Sequence, residues 1–88
     1  MAWKNEFGRS AARDFEGLDY AVQVRLRRYI RERLALDTDP RRFGKLLRGD
    51  KAGLWSYRVG DYRMVCLIED DRPSILVLRV ARRRAVYR

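Results

Sequence analysis

Two arginines near the middle of the chain are spaced in a way that could create an anion-binding site. Arg58 and Arg63 flank Gly60-Asp61, a pair of residues typical of a two-residue hairpin loop. Such a loop would place Arg58 directly opposite Arg63 on one face of two antiparallel strands. Like charges at this spacing repel by about 0.2–1 kcal/mol, which favours an anion bound between them. A solvated sheet face is the simpler alternative.

The same register predicts which residues of the hairpin face the core. The remaining pairs would be Val59 with Tyr62, Tyr57 with Met64, and Ser56 with Val65. One face then carries a set suited to a core: Trp55, Tyr57, Val59, Tyr62, Met64, Cys66 and Ile68. The other face carries Ser56 and both arginines, together with Val65 and Leu67. The aromatic residues of the hairpin are therefore interpreted as core residues rather than as platforms for stacking bases.

A second group of basic residues lies near the end of the sequence, where Arg82, Arg83 and Arg84 precede Tyr87. Strict alternation in the last strand separates Leu76, Leu78 and Val80 from Ile75, Val77, Arg79, Ala81 and Arg83. If Leu76, Leu78 and Val80 face the helices, Arg83 lies on the same sheet face as Arg58 and Arg63. A run of arginines alone is typical of general polyanion binding, and Tyr87 could simply pack against the domain.

The composition restricts both the size of the protein and the chemistry of its partners. The 88 residues suffice for one domain, residues 1–88, and 21 Lys and Arg against 12 Asp and Glu give a formal charge of +9. An excess of this size favours nucleic acid, although an acidic protein or a membrane surface would also suit it. No run approaches the ~20 apolar residues that a membrane span needs. The expected partner is anionic, and no membrane or small-molecule substrate is expected.

The sequence lacks the side chains of a zinc site. It contains no histidine and one cysteine, Cys66, which can form no disulfide within the chain. No signal segment opens the chain, so the cytoplasm is the expected compartment. We expect catalysis, if any, to need no metal or other cofactor, and we interpret Cys66 as a small buried hydrophobic residue.

Hydrophobic spacing predicts the elements that would position these residues. A first strand would end at Gly8, a short helix would begin after Ser10 as N-cap, and a second helix would run from Tyr20 to Leu36 after Asp19. In the second helix, Val22, Leu26, Ile30 and Leu34 recur every four residues on the core face, and Arg25 falls on the other side. Residues 41–53 are predicted as a basic loop, and strands are predicted at 54–59, 62–69 and 74–80. The predicted fold is α+β, with βααβββ order and two helices packed on one face of an antiparallel sheet of about four strands.

Three segments resemble the C-terminal half of RelE-type toxins in the RelE/ParE superfamily. They are Leu47-Arg48-Gly49, the hairpin from Leu54 to Arg63, and the ending from Val80 to Arg88. By position, Arg63, Arg83 and Tyr87 match residues of that family's active site, and Arg58 matches a basic residue. Ser56 stands where RelE has a lysine, and Arg82 stands where many relatives have a histidine.

The resemblance implies a toxin that is silenced by a cognate antitoxin and that cleaves mRNA in the ribosomal A site. A ribose 2′-hydroxyl would attack its own 3′-phosphate, while Arg63 and Arg83 hold the phosphate and its developing charge. Tyr87 is the candidate for proton transfer or for base stacking and orientation, and the identity of the general base stays open. Ser56, Arg58 and Arg82 are the candidate substrate-binding residues.

Two other functions are compatible with these residues. A ParE-like inhibitor of DNA gyrase could have the same fold but would not need the set of Arg63, Arg83 and Tyr87. A non-catalytic RNA-binding module would explain the charge but not a tyrosine beside arginines near the end of the sequence. The arginine and tyrosine set therefore favours the ribonuclease.

Overall fold

The helices and strands follow the hydrophobic spacing of the sequence in the computed structural model, which describes residues 3–36 and 39–82. A short strand, β1 (Lys4–Phe7), precedes α1 (Arg9–Glu16) and α2 (Tyr20–Tyr29), and α2 continues as a π-helical turn over Ile30–Leu34. The remaining strands are β2 (Lys45–Leu46), β3 (Trp55–Val59), β4 (Tyr62–Glu69) and β5 (Ser74–Arg82). Two 3-10 turns, Pro40–Phe43 and Gly49–Lys51, flank β2. Within the described ranges, no helix is long and apolar enough to cross a bilayer.

The five strands form one sheet in the order β1-β5-β4-β3-β2. The α+β class and the order of helices before a meander are confirmed, but the sheet is mixed, because β1 pairs parallel to β5. A hairpin loop determines the direction only of the strands that it joins, and β1 reaches β5 after both helices and three other strands. The fifth strand, β2, lies in the segment predicted as a loop, because two residues are too few to show an alternating pattern.

Both helices contribute their apolar side chains to one core. Leu26, Ile30 and Leu34 of the second helical segment are buried as predicted, and they pack in one cluster with Ala11 and Phe15 of α1. The cluster also contains the sheet residues Tyr57, Val59, Met64, Cys66, Ile68, Ile75, Val77 and Val80. The hydrophobic effect therefore holds the helices against a single face of the sheet.

The connections around α1 differ from the predicted caps. Gly8, not Ser10, is the N-cap residue of α1, and its N–H donates to the Val77 carbonyl at 2.8 Å, so the end of β1 runs directly into the helix. Asp19 is the N-cap residue of α2, as predicted, without a side-chain cap bond. The Gln23 amide donates to the carbonyl oxygens of Phe15 at 2.8 Å and Leu18 at 3.1 Å. Gln23 therefore ties the start of α2 to the end of α1 and to the connection between the two helices.

A β-bulge changes the alternation in β5. Cys66 pairs with Val77 and Val65 pairs with Arg79, so that Leu78 is an extra residue between them. Ile75 and Val77 are buried before the bulge, and Val80 is buried after it. The predicted assignment of the β5 side chains to the two faces of the sheet is therefore wrong, because one inserted residue moves every later side chain to the other face.

Asp14 of α1 covers the edge of β5 where β1 ends. The last pair between these two strands joins Phe7 to Val77. Val80 lies three residues after Val77, and its N–H donates a hydrogen bond to the Asp14 carboxylate at 2.9 Å. The same carboxylate pairs with the Arg79 guanidinium, also at 2.9 Å. The carboxylate thus replaces a strand as the partner of an edge N–H, which would otherwise be open to pairing with another chain.

The segment before β2 is held against the core by a buried tyrosine. The Tyr57 hydroxyl donates to the Pro40 carbonyl at 2.9 Å, and burial raises the pKa of the Tyr57 phenol, so it stays a donor. Gly44 lies on the Tyr57 ring, where an added Cβ would be 2.9 Å from two ring carbons. Arg41 bridges the Asp39 carboxylate at 3.0 Å and the Asp70 carboxylate at 2.6 Å. These contacts position β2 beside β3.

Tyr57→Phe should lower the free energy of unfolding by about 1–3 kcal/mol, because the buried Pro40 carbonyl loses its hydrogen bond. Each kcal/mol should lower Tm by about 4–8 °C in a domain of this size. Thermal unfolding followed by circular dichroism measures the change. Tyr20→Phe is the matched control, since Tyr20 is 79% exposed. Equal Tm values for the two variants would contradict the role of the Tyr57 hydroxyl.

The Cys66 thiol should resist alkylation in the folded protein. Cys66 is fully buried, as predicted, and burial raises the pKa of its thiol to about 12, which leaves little of the reactive thiolate at pH 8. Iodoacetamide at pH 8 should therefore modify the native chain far more slowly than the chain in denaturant, as mass spectrometry can follow. Similar rates in the two states would show that the thiol is reactive in the native protein.

Candidate anion-binding site on the β3–β4 hairpin

The turn between β3 and β4 places the two central arginines opposite each other. All four predicted pairs of this hairpin are present, including Arg58 opposite Arg63 and Ser56 opposite Val65. Gly60 has a φ of +61°, a left-handed conformation that glycine adopts without strain. The turn therefore has the geometry that the dipeptide Gly60-Asp61 predicts.

Arg63 is a buried cation that a neighbouring side chain orients. Arg63 is 8% exposed and Ser56 is 4% exposed, and Nη1 of Arg63 donates to Oγ of Ser56 at 3.2 Å. The two residues are diagonal neighbours on the sheet face that points away from the helices. This bond orients the guanidinium.

Two further cations share this face with Arg63. Arg58 is exposed on the adjacent strand, and Lys45 of β2 lies directly opposite Ser56 and is also exposed. Three cations from three neighbouring strands therefore surround Ser56. Guanidinium and ammonium groups bind phosphate oxygens through charge-assisted hydrogen bonds, and the planar guanidinium can do so with two parallel bonds. The arrangement can hold a phosphate group and stabilise additional negative charge on it.

The predicted residue Arg82 lies on the other side of the sheet. It pairs with Tyr62, which packs against the core, and the Arg82 guanidinium is 5.8 Å from the centroid of the Tyr62 ring. Ala81, by contrast, pairs with Arg63. The structure thus brings Ser56, Arg58 and Arg63 together and leaves Arg82 apart from them. Arg83 and Tyr87 lie outside the described residues, so their placement stays a prediction.

Sequence reasoning misses Lys45 and one arginine of α2. Lys45 falls in the segment predicted as a basic loop, and only the pairing of β2 with β3 brings it beside Ser56. The helical pattern puts Arg25 on the solvent side of α2, yet its guanidinium lies over the turn, 2.7–2.9 Å from where a Cβ on Gly60 would be. The helical position predicts the exposure of Arg25 correctly, but no local pattern relates α2 to a turn 35 residues later in the sequence.

The described residues also limit the kinds of chemistry that this face offers. Between residues 3 and 36 and between 39 and 82, no three His, Cys, Asp or Glu side chains are grouped so that they could hold a metal ion. The tyrosines of the hairpin, Tyr57 and Tyr62, contribute to the core cluster on the opposite face. The face of Ser56, Arg58 and Arg63 therefore supplies phosphate binding and charge stabilisation.

Known proteins are similar to this chain in sequence and in architecture. A family model for the ParE toxin of the type II toxin-antitoxin system parDE matches residues 6–87. Toxin RelE of Mycobacterium tuberculosis (strain ATCC 25618 / H37Rv) is 38% identical over 79 residues, which are 90% of this chain and 79% of that protein.

Two solved structures are similar over almost the whole chain. The toxin-antitoxin complex RelBE2 from Mycobacterium tuberculosis contains a chain that matches with a TM-score of 0.86 and 30% identity, over 94% of this chain and 93% of that one. A mutant of E. coli toxin RelE in complex with an antitoxin RelBc peptide matches with a TM-score of 0.72 and 25% identity, over 99% of this chain and 92% of that one. On these matches the chain belongs to the RelE/ParE superfamily of toxins from type II toxin-antitoxin systems, and within it the chain is closer to the RelE-type toxins.

Proposed function

We propose that this toxin is a metal-independent endoribonuclease that cleaves mRNA on the ribosome. The observation that carries the proposal is the buried Arg63 guanidinium, held by Ser56 on a sheet face that Arg58 and Lys45 also make positive. A fixed cation aimed at the place where negative charge develops usually lowers the barrier to phosphate or acyl transfer more than any other single effect. The name of the relative RelE and the resemblance to RelE-type toxins support RNA as the substrate.

The reaction needs positioning of the RNA, stabilisation of charge and two proton transfers. The ribose 2′-oxygen forms a bond to the adjacent phosphorus while the bond from phosphorus to the 5′-oxygen of the next nucleotide breaks. The products are a 2′,3′-cyclic phosphate and a free 5′-hydroxyl, so the 2′-hydroxyl loses one proton and the leaving oxygen gains one. Arg63 and Arg83 would hold the nonbridging oxygens and compensate the charge of the transition state, and Arg58 would bind the strand beside them.

A tyrosine is the best candidate for moving the proton. The sequence contains no histidine, and arginine stays protonated at physiological pH. Cations near Tyr87 would favour its phenolate, which could accept the 2′-hydroxyl proton. The alternative role for Tyr87 is to stack on a base and orient the ribose.

The proposed partner in the resting state is a cognate antitoxin. RelBE2 of Mycobacterium tuberculosis and E. coli RelE have been solved in complexes with their antitoxins, and the net charge of +9 of this chain is complementary to an acidic segment. We propose that such a segment covers the face of Arg58 and Arg63 and so blocks access of RNA.

The family model for the ParE toxin also supports a second candidate, an inhibitor of DNA gyrase. One preparation of purified toxin tests both functions. Translation in vitro, followed by mapping of mRNA ends with and without ribosomes, should show cleavage only when ribosomes are present. Gyrase supercoiling, assayed with the same protein, should be unaffected. Inhibited supercoiling with intact mRNA would replace the proposed function with the alternative.

Arg63→Gln should lower the single-turnover rate of mRNA cleavage by about 10²–10³-fold, because glutamine keeps a polar side chain on this face but removes the charge. Arg83→Ala should likewise abolish growth inhibition. Arg72→Gln is the matched control, since it removes the same charge from the exposed turn at the opposite end of β4 from Arg63. Cleavage by folded Arg63→Gln at the rate of the control would contradict the role of this guanidinium.

Tyr87→Phe should leave ribosome binding and Tm unchanged but slow the cleavage step, because only the phenolic oxygen is removed. A packing role would give the opposite result, with phenylalanine tolerated and Tyr87→Ala lowering Tm by leaving apolar surface unfilled. Single-turnover cleavage on programmed ribosomes and thermal unfolding of both variants distinguish these roles. An unchanged rate for Tyr87→Phe would exclude proton transfer and leave stacking or packing.

A further inference from the structure

A second cluster of arginines lines a cleft beside the candidate site. The cleft has a volume of about 450 Å³ and lies between α2 and the end of β3. Its cations are Arg25, Arg28 and Arg33 from the helical side and Arg58 from the sheet. The function proposed above uses only Arg58 of these four.

The charge of the cleft is strongly unbalanced. Among the described residues that line it, the only carboxylate is Glu32, which pairs loosely with Arg28 at 3.7 Å, so four guanidinium groups face one carboxylate and the lining has a net charge of +3. Both partners of this pair are more than half exposed, and such surface pairs are weak. An anion in the cleft would relieve the repulsion among the arginines.

Two of these guanidinium groups pack against neighbouring parts of the chain. The Arg25 guanidinium lies against Gly60, in space that any larger residue at the turn would occupy. Arg33 stacks on the Phe43 ring, with its guanidinium carbon 5.1 Å from the ring centroid. A cation held by packing loses less conformational entropy when it binds a ligand. The cleft is therefore partly preorganised for an anion.

The apolar part of the lining is suited to a flat group. Tyr29 is half-buried and Val59 is buried, and both border the cleft. Burial raises the pKa of the Tyr29 phenol, so the ring stays neutral at physiological pH. A neutral aromatic ring surrounded by cations is the combination that binds bases and phosphates of single-stranded nucleic acid.

Arg58 connects this cleft to the candidate site, because it lies opposite Arg63 and also lines the cleft. We propose that the cleft is a second subsite for RNA, which binds a phosphodiester of the same strand that Arg63 holds, with a base against Tyr29. A polymer with a phosphate at every nucleotide can reach both groups of cations at once, and an isolated anion cannot. The inference rests on the proposed function, since that function provides the strand at Arg63.

Binding of RNA that cannot be cleaved tests the cleft apart from catalysis. The probe is a fluorescein-labelled single-stranded RNA octamer with 2′-O-methyl groups, titrated with the full-length toxin at several salt concentrations. Arg25→Gln combined with Arg28→Gln should raise Kd by roughly 10-fold or more and reduce the slope of log K against log salt by about 0.7 for each phosphate that the variant no longer neutralises. The double variant Arg13→Gln with Arg72→Gln is the control, because it removes the same charge from exposed positions outside the cleft.

The outcomes separate the cleft from the proposed function. Weaker binding and a smaller slope in the cleft variant, with the control unchanged, would support the subsite even if no mRNA were cleaved. Equal Kd and slope in the two double variants, or no binding by the unaltered toxin, would overturn the subsite even if cleavage were observed. A cleft variant that binds RNA normally but loses affinity for its antitoxin would assign the cleft to an acidic protein segment and would also overturn the proposal.

Discussion

The two-residue turn at Gly60-Asp61 is the constraint on which the candidate site depends. Because successive side chains in a strand point to opposite faces, the pairing across this turn determines the face of every residue in β3 and β4. It sends Tyr57 and Met64 into the core and leaves Arg58 and Arg63 on the sheet face that points away from the helices. A slip of one residue would turn the arginines toward the helices and the core residues toward the other face, so the apolar face of the hairpin also secures the positions of the cations.

Arg63 illustrates how the core and the site support each other. A buried guanidinium is unfavourable unless its donors are satisfied, and the Ser56 hydroxyl accepts one of its hydrogen bonds at 3.2 Å. Ser56 is itself held from both sides, because Lys45 of β2 and Val65 of β4 pair with it. The position of β2 in turn depends on Tyr57, which anchors the preceding turn at Pro40 from inside the core. The orientation of a cation on one face thus depends on a tyrosine that points to the other face.

The features that the sequence predicts correctly are local ones. The register of the hairpin, the buried positions of α2 and the burial of Cys66 follow from spacing within a few residues, and all are present in the structure. The parallel pairing of β1 and the bulge at Leu78 depend on contacts between distant segments, which no single periodicity encodes. Lys45 and Arg25 are missed for the same reason, since each reaches the hairpin only through tertiary packing. The resemblance suggested Arg82 as a substrate-binding residue, but a resemblance in sequence does not show on which face of the sheet a residue lies. In the structure, Arg82 pairs with Tyr62 and lies on the face opposite to that of Arg63.

The positive charge on both sides of β3 affects the free protein as well as its complexes. Arginines crowded at the cleft and on the sheet face repel one another, so a polyanion that binds only the folded chain stabilises it by mass action. An RNA strand and an acidic protein segment would compete for these same cations, because each neutralises them in the same way. The cations that make the proposed site competent for RNA would therefore also allow an antitoxin to inhibit it by covering the surface, without any rearrangement of Arg63 or Ser56. Arg58 has a special position in this competition, since it borders both the sheet face and the cleft, and a segment that covers it would interrupt the proposed path of the RNA between them.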